Sequence, residues 1–257
     1  MMKTPIQGQT IWITGASSGV ARELALQLAD AGNYVIASAR SQDKLDELVA
    51  LKPEHICALV FDVTDDAQCA HKIEKLQTIT DTIDVLIMSA GVAEYEDNLD
   101  FNVTMYRRVF DANVFGMVNT LAVAKPFLEK AQQRAYIVGV TSLSMVIGFS
   151  RAEAYGASKT AADYFLHSLM VDLPRRKYDV SVVRPGFIET PMTSVNDFPM
   201  PFLMSADKAA ARIIKGMEAR PRLIAFPKRL NIILKLISWC PSLWYNYLGP
   251  KTSRSQI

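Results

Sequence analysis

The chain has 257 residues, 50% of them hydrophobic and 21% charged, with a formal net charge of +2. That is enough apolar material for a sizeable core, and too little net charge for a general nucleic-acid binder. Its three cysteines have no C-x-x-C spacing and its three histidines no paired spacing, so neither a disulfide framework nor a metal site is expected. From the N-terminal side, "TIWIT" (10–14) reads as a strand. "GVARELALQLADAG" (19–32) reads as a helix with Leu24, Leu28 and Ala31 on one face and Gly32 as its stop. "YVIASA" (34–39) is the next strand, and "SQDKLDELVAL" (41–51) a helix with Ser41 as N-cap. A third strand, "ICALVFDV" (56–63), precedes a third helix over 65–79, and "IDVLIMSAG" (83–91) is a fourth strand. A long helical region over 101–129 contains Asn113. "AYIVGVTS" (135–142) is a fifth strand, 153–173 a helix, and "DVSVVRPG" (179–186) a sixth strand.

These strands are near-continuous apolar runs, as expected of a sheet covered on both faces. Six such alternations predict an α/β fold, a doubly wound parallel sheet in a single domain. The main body is assigned to residues 1–226. Residues 227–257 form a basic, apolar extension, either part of the same domain or a peripheral anchor. Cys57, Cys69 and Cys240 are expected as small buried hydrophobes in a reducing, hence cytoplasmic, compartment. No signal peptide is read at the polar start, and no apolar run reaches the roughly 18 residues needed to span a bilayer.

Chemistry enters at "TGASSGVA" (14–21), between the first strand and the first helix, where a doubly wound sheet binds dinucleotides. Gly15 permits the sharp turn and Gly19 the approach of backbone to pyrophosphate, with Ser17, Ser18 and Val20 completing the loop. No Gly-Lys-Ser/Thr follows, so the turn reads as a Rossmann-type cofactor loop and not as a P-loop. The second strand ends in Ser38, Ala39 and Arg40, with no acid before Asp43. A cation without a carboxylate suits a ribose 2′-phosphate, hence NADP(H).

A second constellation is "AYGASK" (154–159). Tyr155 and Lys159 stand at i and i+4, so a helix carries both on one face. An ammonium beside a phenol favours the phenolate, and the tyrosine is expected below its ordinary pKa of about 10. Tyr247 and Lys251 repeat the spacing, but Gly249 and Pro250 between them should end a helix first.

With these pieces in view, the chain resembles the short-chain dehydrogenases/reductases over about residues 8 to 225. The resemblance rests on "TGASSGVA", "FDVT" (61–64), "SAG" (89–91), "DANVFG" (111–116), "VTS" (140–142), "YGASK" (155–159) and "RPGFIETPM" (184–192), in that order. It implies that Tyr155 exchanges a proton with the substrate oxygen and that Lys159 lowers the tyrosine's pKa and holds the nicotinamide ribose. Ser142 would bind the substrate oxygen, and Asn113 would anchor a water-linked proton relay behind the lysine. Asp62 and Val63 would face the adenine, and Ala90 and Gly91 would line the ribose. Pro185, Gly186, Ile188 and Thr190 would hold the carboxamide and pyrophosphate side. Small residues at 156–158 would let cofactor and substrate approach. Two departures stand out: Ala21 replaces the family's third glycine, and Ser89 replaces an asparagine, which is expected to loosen the end of the fourth strand. The resemblance also implies a homo-oligomer, a dimer or tetramer.

The segments expected over the site are apolar. Leu143, Met145, Val146, Ile147 and Phe149 follow Ser142, and 191–204 supply Met192, Phe198, Met200, Phe202, Leu203 and Met204. They point to a small lipophilic carbonyl or alcohol as substrate. The alternatives are a non-enzymatic NADPH-binding sensor or scaffold, and an epimerase or dehydratase. The latter is disfavoured because no substantial substrate domain follows the sixth strand. In the tail, Leu230, Ile233, Leu234 and Ile237 form one helical stripe, and Leu243, Trp244, Tyr247 and Leu248 a second beyond Pro241. Residues 203–257 hold 10 Lys and Arg against 2 Asp and Glu. This composition suits either packing over the pocket or a subunit interface, or peripheral contact with a membrane.

Overall fold

The computed structural model of the chain describes residues 4–66, 69–96 and 99–252, the side chains of Cys69 and Ala70 excepted. Strand β1 (Thr10–Thr14) leads into helix α1 (Gly19–Asp30). Then follow β2 (Tyr34–Ala39), α2 (Gln42–Leu51), β3 (Ile56–Val60), α3 (Cys69–Gln77) and β4 (Val85–Met88). The second half runs α4 (Val103–Phe110), α5 (Gly116–Leu128), β5 (Ala135–Val140), α6 (Glu153–Asp172) and β6 (Tyr178–Pro185). A two-residue pair, β7 (Ile188–Glu189) with β8 (Met204–Ser205), precedes α7 (Ala206–Met217), β9 (Leu223–Phe226), α8 (Lys228–Ser238) and α9 (Pro241–Leu243). The main sheet is parallel, in the order β3-β2-β1-β4-β5-β6-β9, so the strand order reverses between β1 and β4. This is a Rossmann-like fold in a single domain.

Adjacent side chains of one strand serve opposite cores, which is why the strands read as unbroken apolar runs. Ile11 and Ile13 of β1 and Val85 and Ile87 of β4 pack with Leu24 and Leu28 of α1, Leu45 and Leu48 of α2 and Ile213 and Met217 of α7. Trp12, Leu86 and Met88 face the other way, onto Met117 and Phe127 of α5 and Ala162 and Leu166 of α6. Helix α1 stops where Gly32 takes φ +81° and Asn33 donates to the carbonyls of Leu28 and Ile6 at 2.8 and 2.9 Å. Ser41 caps α2 by accepting from the Lys44 N–H at 3.5 Å.

The sequence reading differs from the structure in several places. Strands three, four and five end at Val60, Met88 and Val140, before the boundaries predicted for them. The residues beyond these ends line a cleft instead, although Phe61 and Thr141 still donate their backbone N–H to the Ala39 and Val183 carbonyls at 3.0 and 2.8 Å. The helical region predicted over 101–129 begins at Val103, capped by Asn102, and is interrupted by a π-turn over Asp111–Phe115 that carries Asn113. Of the predicted helix over 65–79, residues 67–68 lie outside the described residues, and the helix itself spans Cys69–Gln77. The seventh strand, β9, and helix α7 were not foreseen. Cys240 is exposed and Cys57 only partly buried, against the expectation for both, and the side chain of Cys69 lies outside the description.

The tail folds back on the body. Leu230, Leu234 and Trp244 are buried and pack with Leu143 and Ile147, with Val146 and Phe149 against them. Trp244 Nε1 donates to the Gly148 carbonyl at 2.7 Å, and its ring meets Phe149 edge-on at 5.6 Å. The apolar run after Ser142 therefore serves mainly to seat the tail. Ile233, predicted on the packed stripe, is exposed, as are Leu243, Tyr247 and Leu248 of the second stripe. Among the described residues, no helix is long and apolar enough to cross a membrane.

Candidate active site

The carboxyl ends of β1, β4, β5 and β6 converge on a cleft of about 330 Å³. At its floor Gly15 takes φ +79°, and a Cβ there would stand 2.8 Å from Ala90 Cα, too close for any side chain. Gly19 takes φ +58°, and its Cβ would stand 3.1 Å from Thr190 Cγ2. The two glycines thus bring backbone N–H groups at the start of α1 beside Ala90 on one side and Thr190 on the other. Backbone donors at a helix N-terminus make an anion cradle. Thr14 ties the floor together, its Oγ1 accepting from the N–H groups of Ser89 and Ala90 at 3.2 and 3.3 Å. The strand end expected to be loosened by Ser89 is therefore held.

Ser17, Ser18, Val20, Arg40, Asp62, Val63, Ala90, Gly91, Pro185, Gly186, Ile188 and Thr190 all line this cleft. So do Ser142, Tyr155 and Lys159. Asn113 does not; it stands one layer behind. Its Oδ1 accepts from Val92 N–H at 2.8 Å, and its Nδ2 donates to the Val92 carbonyl and Ser158 Oγ, both at 2.9 Å. A Cβ on Gly91 would lie 2.7 Å from Asn113 Oδ1 and 3.3 Å from Lys159 Nζ, so Gly91 is the thin wall between Asn113 and the cleft. Ser38 is not at the rim: its hydroxyl is buried and accepts from Trp12 Nε1 at 2.7 Å. Arg40 alone of that strand end is exposed.

Helix α6 carries Tyr155 and Lys159 toward the cleft, with Lys159 Nζ 5.9 Å from the tyrosine ring centroid and donating to the Val140 carbonyl at 3.3 Å. Ser142 lines the same part of the cleft and acts on the Tyr155 phenol to favour its ionised form. The expected downward shift of the phenol is reversed: burial pushes Tyr155 up to about 12, against the pull of Ser142 and with a further push from Tyr95. Burial also brings Lys159 down to about 8. The spacing foresees the neighbours but not the desolvation, which dominates both groups. The residues between them serve elsewhere. Ser158 faces Asn113, while Gly156 and Ala157 line a second cavity beneath the tail.

Three features escaped the sequence reading. Tyr95 and Phe187 form an aromatic wall with Phe198. Phe198 meets Tyr95 edge-on at 5.7 Å and Phe187 at 6.2 Å, and Tyr95 lies 6.5 Å from Tyr155. Thr193 Oγ1 accepts from Thr190 N–H at 3.0 Å and fixes that turn. Behind Ser142, buried Asp163 accepts from Arg184 Nε and Nη2, both at 2.7 Å, and from Thr141 Oγ1 at 3.2 Å. An acid four residues after Lys159 and an arginine before "PGF" were visible signals, though not as a pair.

The short chain dehydrogenase family model matches residues 9–198. The chain belongs to the short-chain dehydrogenase family. An uncharacterized oxidoreductase of Myxococcus xanthus is 33% identical over 240 residues, covering 91% of this chain and 93% of that one. Among solved structures, a short chain dehydrogenase from Burkholderia cenocepacia in complex with NADP is similar with a TM-score of 0.82 at 21% identity. It covers 96% of this chain and 100% of that one. A short chain dehydrogenase/reductase from Burkholderia phymatum in complex with NAD gives 0.83 at 19%, covering 95% and 96%. At those identities they establish the fold, and the family match makes the chain an oxidoreductase of this class with a nicotinamide cofactor.

For this short-chain dehydrogenase the two kinds of glycine separate by experiment. Gly15→Ala is expected to cost roughly 1–3 kcal/mol, because the backbone conformation is strained and Ala90 cannot recede. Gly156→Ala, whose Cβ would meet nothing nearer than the Ser144 carbonyl at 3.9 Å, should leave stability unchanged or raise it by up to about 1 kcal/mol. Urea denaturation of both variants checks the contrast.

Proposed function

We propose that the chain is an NADP(H)-dependent oxidoreductase that interconverts a small lipophilic ketone or aldehyde with its alcohol. The observation that carries this reading is the meeting of Ser142, Tyr155 and Lys159 with the glycine cradle in one cleft. The cradle fits a dinucleotide, since Gly15, Ser17, Ser18 and Gly19 line the cleft at the N-terminus of α1, where backbone N–H groups can receive a pyrophosphate. When bound, the nicotinamide supplies or accepts the hydride. Ser142 and Tyr155 hold the substrate oxygen, and Tyr155 gives it a proton in the direction of reduction. A phenol pushed up to about 12 is protonated at neutral pH, the state a donor needs. Lys159 holds the cofactor ribose from the wall, and Asn113 anchors the relay behind Gly91.

The preference for NADP(H) rests on Arg40, exposed at the rim of the cleft beyond a strand end without carboxylates. The nearby Asp62 is engaged, its Oδ1 accepting from Thr64 N–H and Oγ1 at 2.9 and 2.8 Å. The experiment is a comparison of kcat/KM with NADPH and NADH. The unmodified protein should prefer NADPH, and Arg40→Asp should narrow or reverse that preference by about tenfold or more. Equal efficiency with both cofactors in the unmodified protein would contradict the assignment.

A lipophilic substrate is supported by Tyr95, Phe187 and Phe198 beside Tyr155 and by Met192 in the cleft wall. We place the protein in the cytoplasm, working as a homo-oligomer, a dimer or tetramer. Two unpaired thiols, Cys57 and Cys240, support the compartment. Phe115 and Val118, exposed at 56% and 40% near the start of α5, support a subunit contact.

A further inference from the structure

Helix α8 is apolar on two opposite faces, and the body of the protein covers only one. Leu230 and Leu234 are buried against Leu143, Ile147 and Trp244. At about 100° per residue, Ile232, Leu236 and Trp239 fall together on the far side of the helix. They are exposed at 55%, 54% and 77%. Lys228 and Lys235 flank this stripe on one side and Arg229 on the other, all three exposed. Beyond Pro241, Leu243 and Tyr247 are also exposed, at 49% and 65%. From residue 219 to the last residue the sequence holds seven Lys and Arg and no Asp or Glu.

We propose that this outer face of α8 docks on an anionic lipid bilayer surface. Single exposed leucines are ordinary, but a continuous stripe centred between cations is not a solvent face. Aromatic side chains at the end of the stripe suit the headgroup level, and flanking lysines can reach phosphates while their stems follow the apolar stripe. Two copies of the chain meeting through this face would bring cation against cation with no carboxylate to answer, so self-association through it is disfavoured. The core of a protein interface is also depleted in lysine. The sign of the charge selects anionic headgroups.

The packed side of the same helix reaches the active site: a Cβ on Gly186 would lie 3.0 Å from Leu230 Cδ2, and Gly186 lines the cleft. Docking therefore brings that end of the cleft within about one helix diameter, ~10 Å, of the bilayer. If the proposed function holds, an apolar substrate has a short path from lipid to Tyr155. The docking itself requires no catalysis.

Flotation of the full chain with vesicles of phosphatidylcholine, alone or mixed with phosphatidylserine, tests the proposal. The chain should float with the mixed vesicles and be released by high salt. The variant Ile232→Ser/Leu236→Ser/Trp239→Ser and the variant Lys228→Glu/Arg229→Glu/Lys235→Glu should each lose more than about tenfold in partitioning. Thermal denaturation and size-exclusion elution should match the unmodified chain, because these side chains are exposed. Trp12 and Trp244 are buried at 0% and 8%, so a vesicle-dependent shift of tryptophan emission reports Trp239. Tyr155→Phe should float normally, which separates this proposal from the catalytic one. No flotation with either vesicle, or flotation that neither variant weakens, overturns it. A change of oligomeric state in the variants without a change in flotation assigns the face to a subunit contact and also overturns it.

Discussion

Tyr155→Phe is expected to lower kcat by about 100- to 10,000-fold while NADPH affinity stays within about twofold of the unmodified chain. The loss corresponds to about 3–5 kcal/mol of transition-state stabilisation, the scale of removing a positioned proton donor. The ring of Tyr155 remains, so its contact with Tyr95 is kept, and only the hydroxyl disappears. Lys159→Met should behave differently and damage both turnover and cofactor affinity. Its ammonium donates to the Val140 carbonyl and lies against Gly91, where the ribose is proposed to bind. Initial rates and a fluorescence titration with NADPH separate the two variants. Near-normal kcat in Tyr155→Phe on a good substrate would remove the tyrosine from the mechanism.

The second large effect is on stability. Arg184→Met is expected to cost about 3–5 kcal/mol, because it leaves the Asp163 carboxylate buried without the guanidinium that pairs with both its oxygens. Replacing both partners, Asp163→Leu with Arg184→Met, should recover much of that loss, since two apolar groups leave no uncompensated charge. His167 Nδ1, 3.1 Å from Asp163 Oδ1 but on a side chain that is 44% exposed, offers only partial compensation. Urea denaturation of the single and double variants forms the cycle. A single variant within about 1 kcal/mol of the unmodified chain would show that the pair contributes no more than a surface ion pair. The pair also anchors Thr141, whose hydroxyl it shares with the Val183 carbonyl, so Ser142 inherits its position from it.

What could be read from the sequence was what local pattern encodes. Gly15 and Gly19 are demanded by backbone geometry at a fixed place in a βαβ unit, and the i, i+4 relation of Tyr155 and Lys159 survives any tertiary arrangement. The first six strands announced themselves because each carries apolar side chains to both cores. Strand β9 did not, being four residues hemmed between Pro221 and Pro227, though an apolar run bounded by two prolines was a usable signal. The direction of the Tyr155 shift was beyond spacing, because it depends on how much water the fold removes around the hydroxyl. The Asp163–Arg184 pair joins two elements 21 residues apart. The Tyr95, Phe187 and Phe198 wall joins three separate loops, and neither arrangement leaves a periodic trace. The tail is ambiguous for a different reason: a helix apolar on two faces gives no single stripe to follow, and Ile233 lies between the two, 44% exposed.

Deuterium transfer from cofactor to carbonyl carbon reads the proposed reaction itself. The full chain is incubated with NADPH deuterated at both C4 positions of the nicotinamide and a panel of apolar ketones and aldehydes, and the products are analysed by mass spectrometry. An alcohol with one deuterium on the former carbonyl carbon is expected for at least one substrate, with at least about 100-fold less of it from Tyr155→Phe over the same period. A protein that binds NADPH in the cleft yet leaves every carbonyl of the panel unlabelled would contradict it, and would make the chain a cofactor-binding sensor or scaffold.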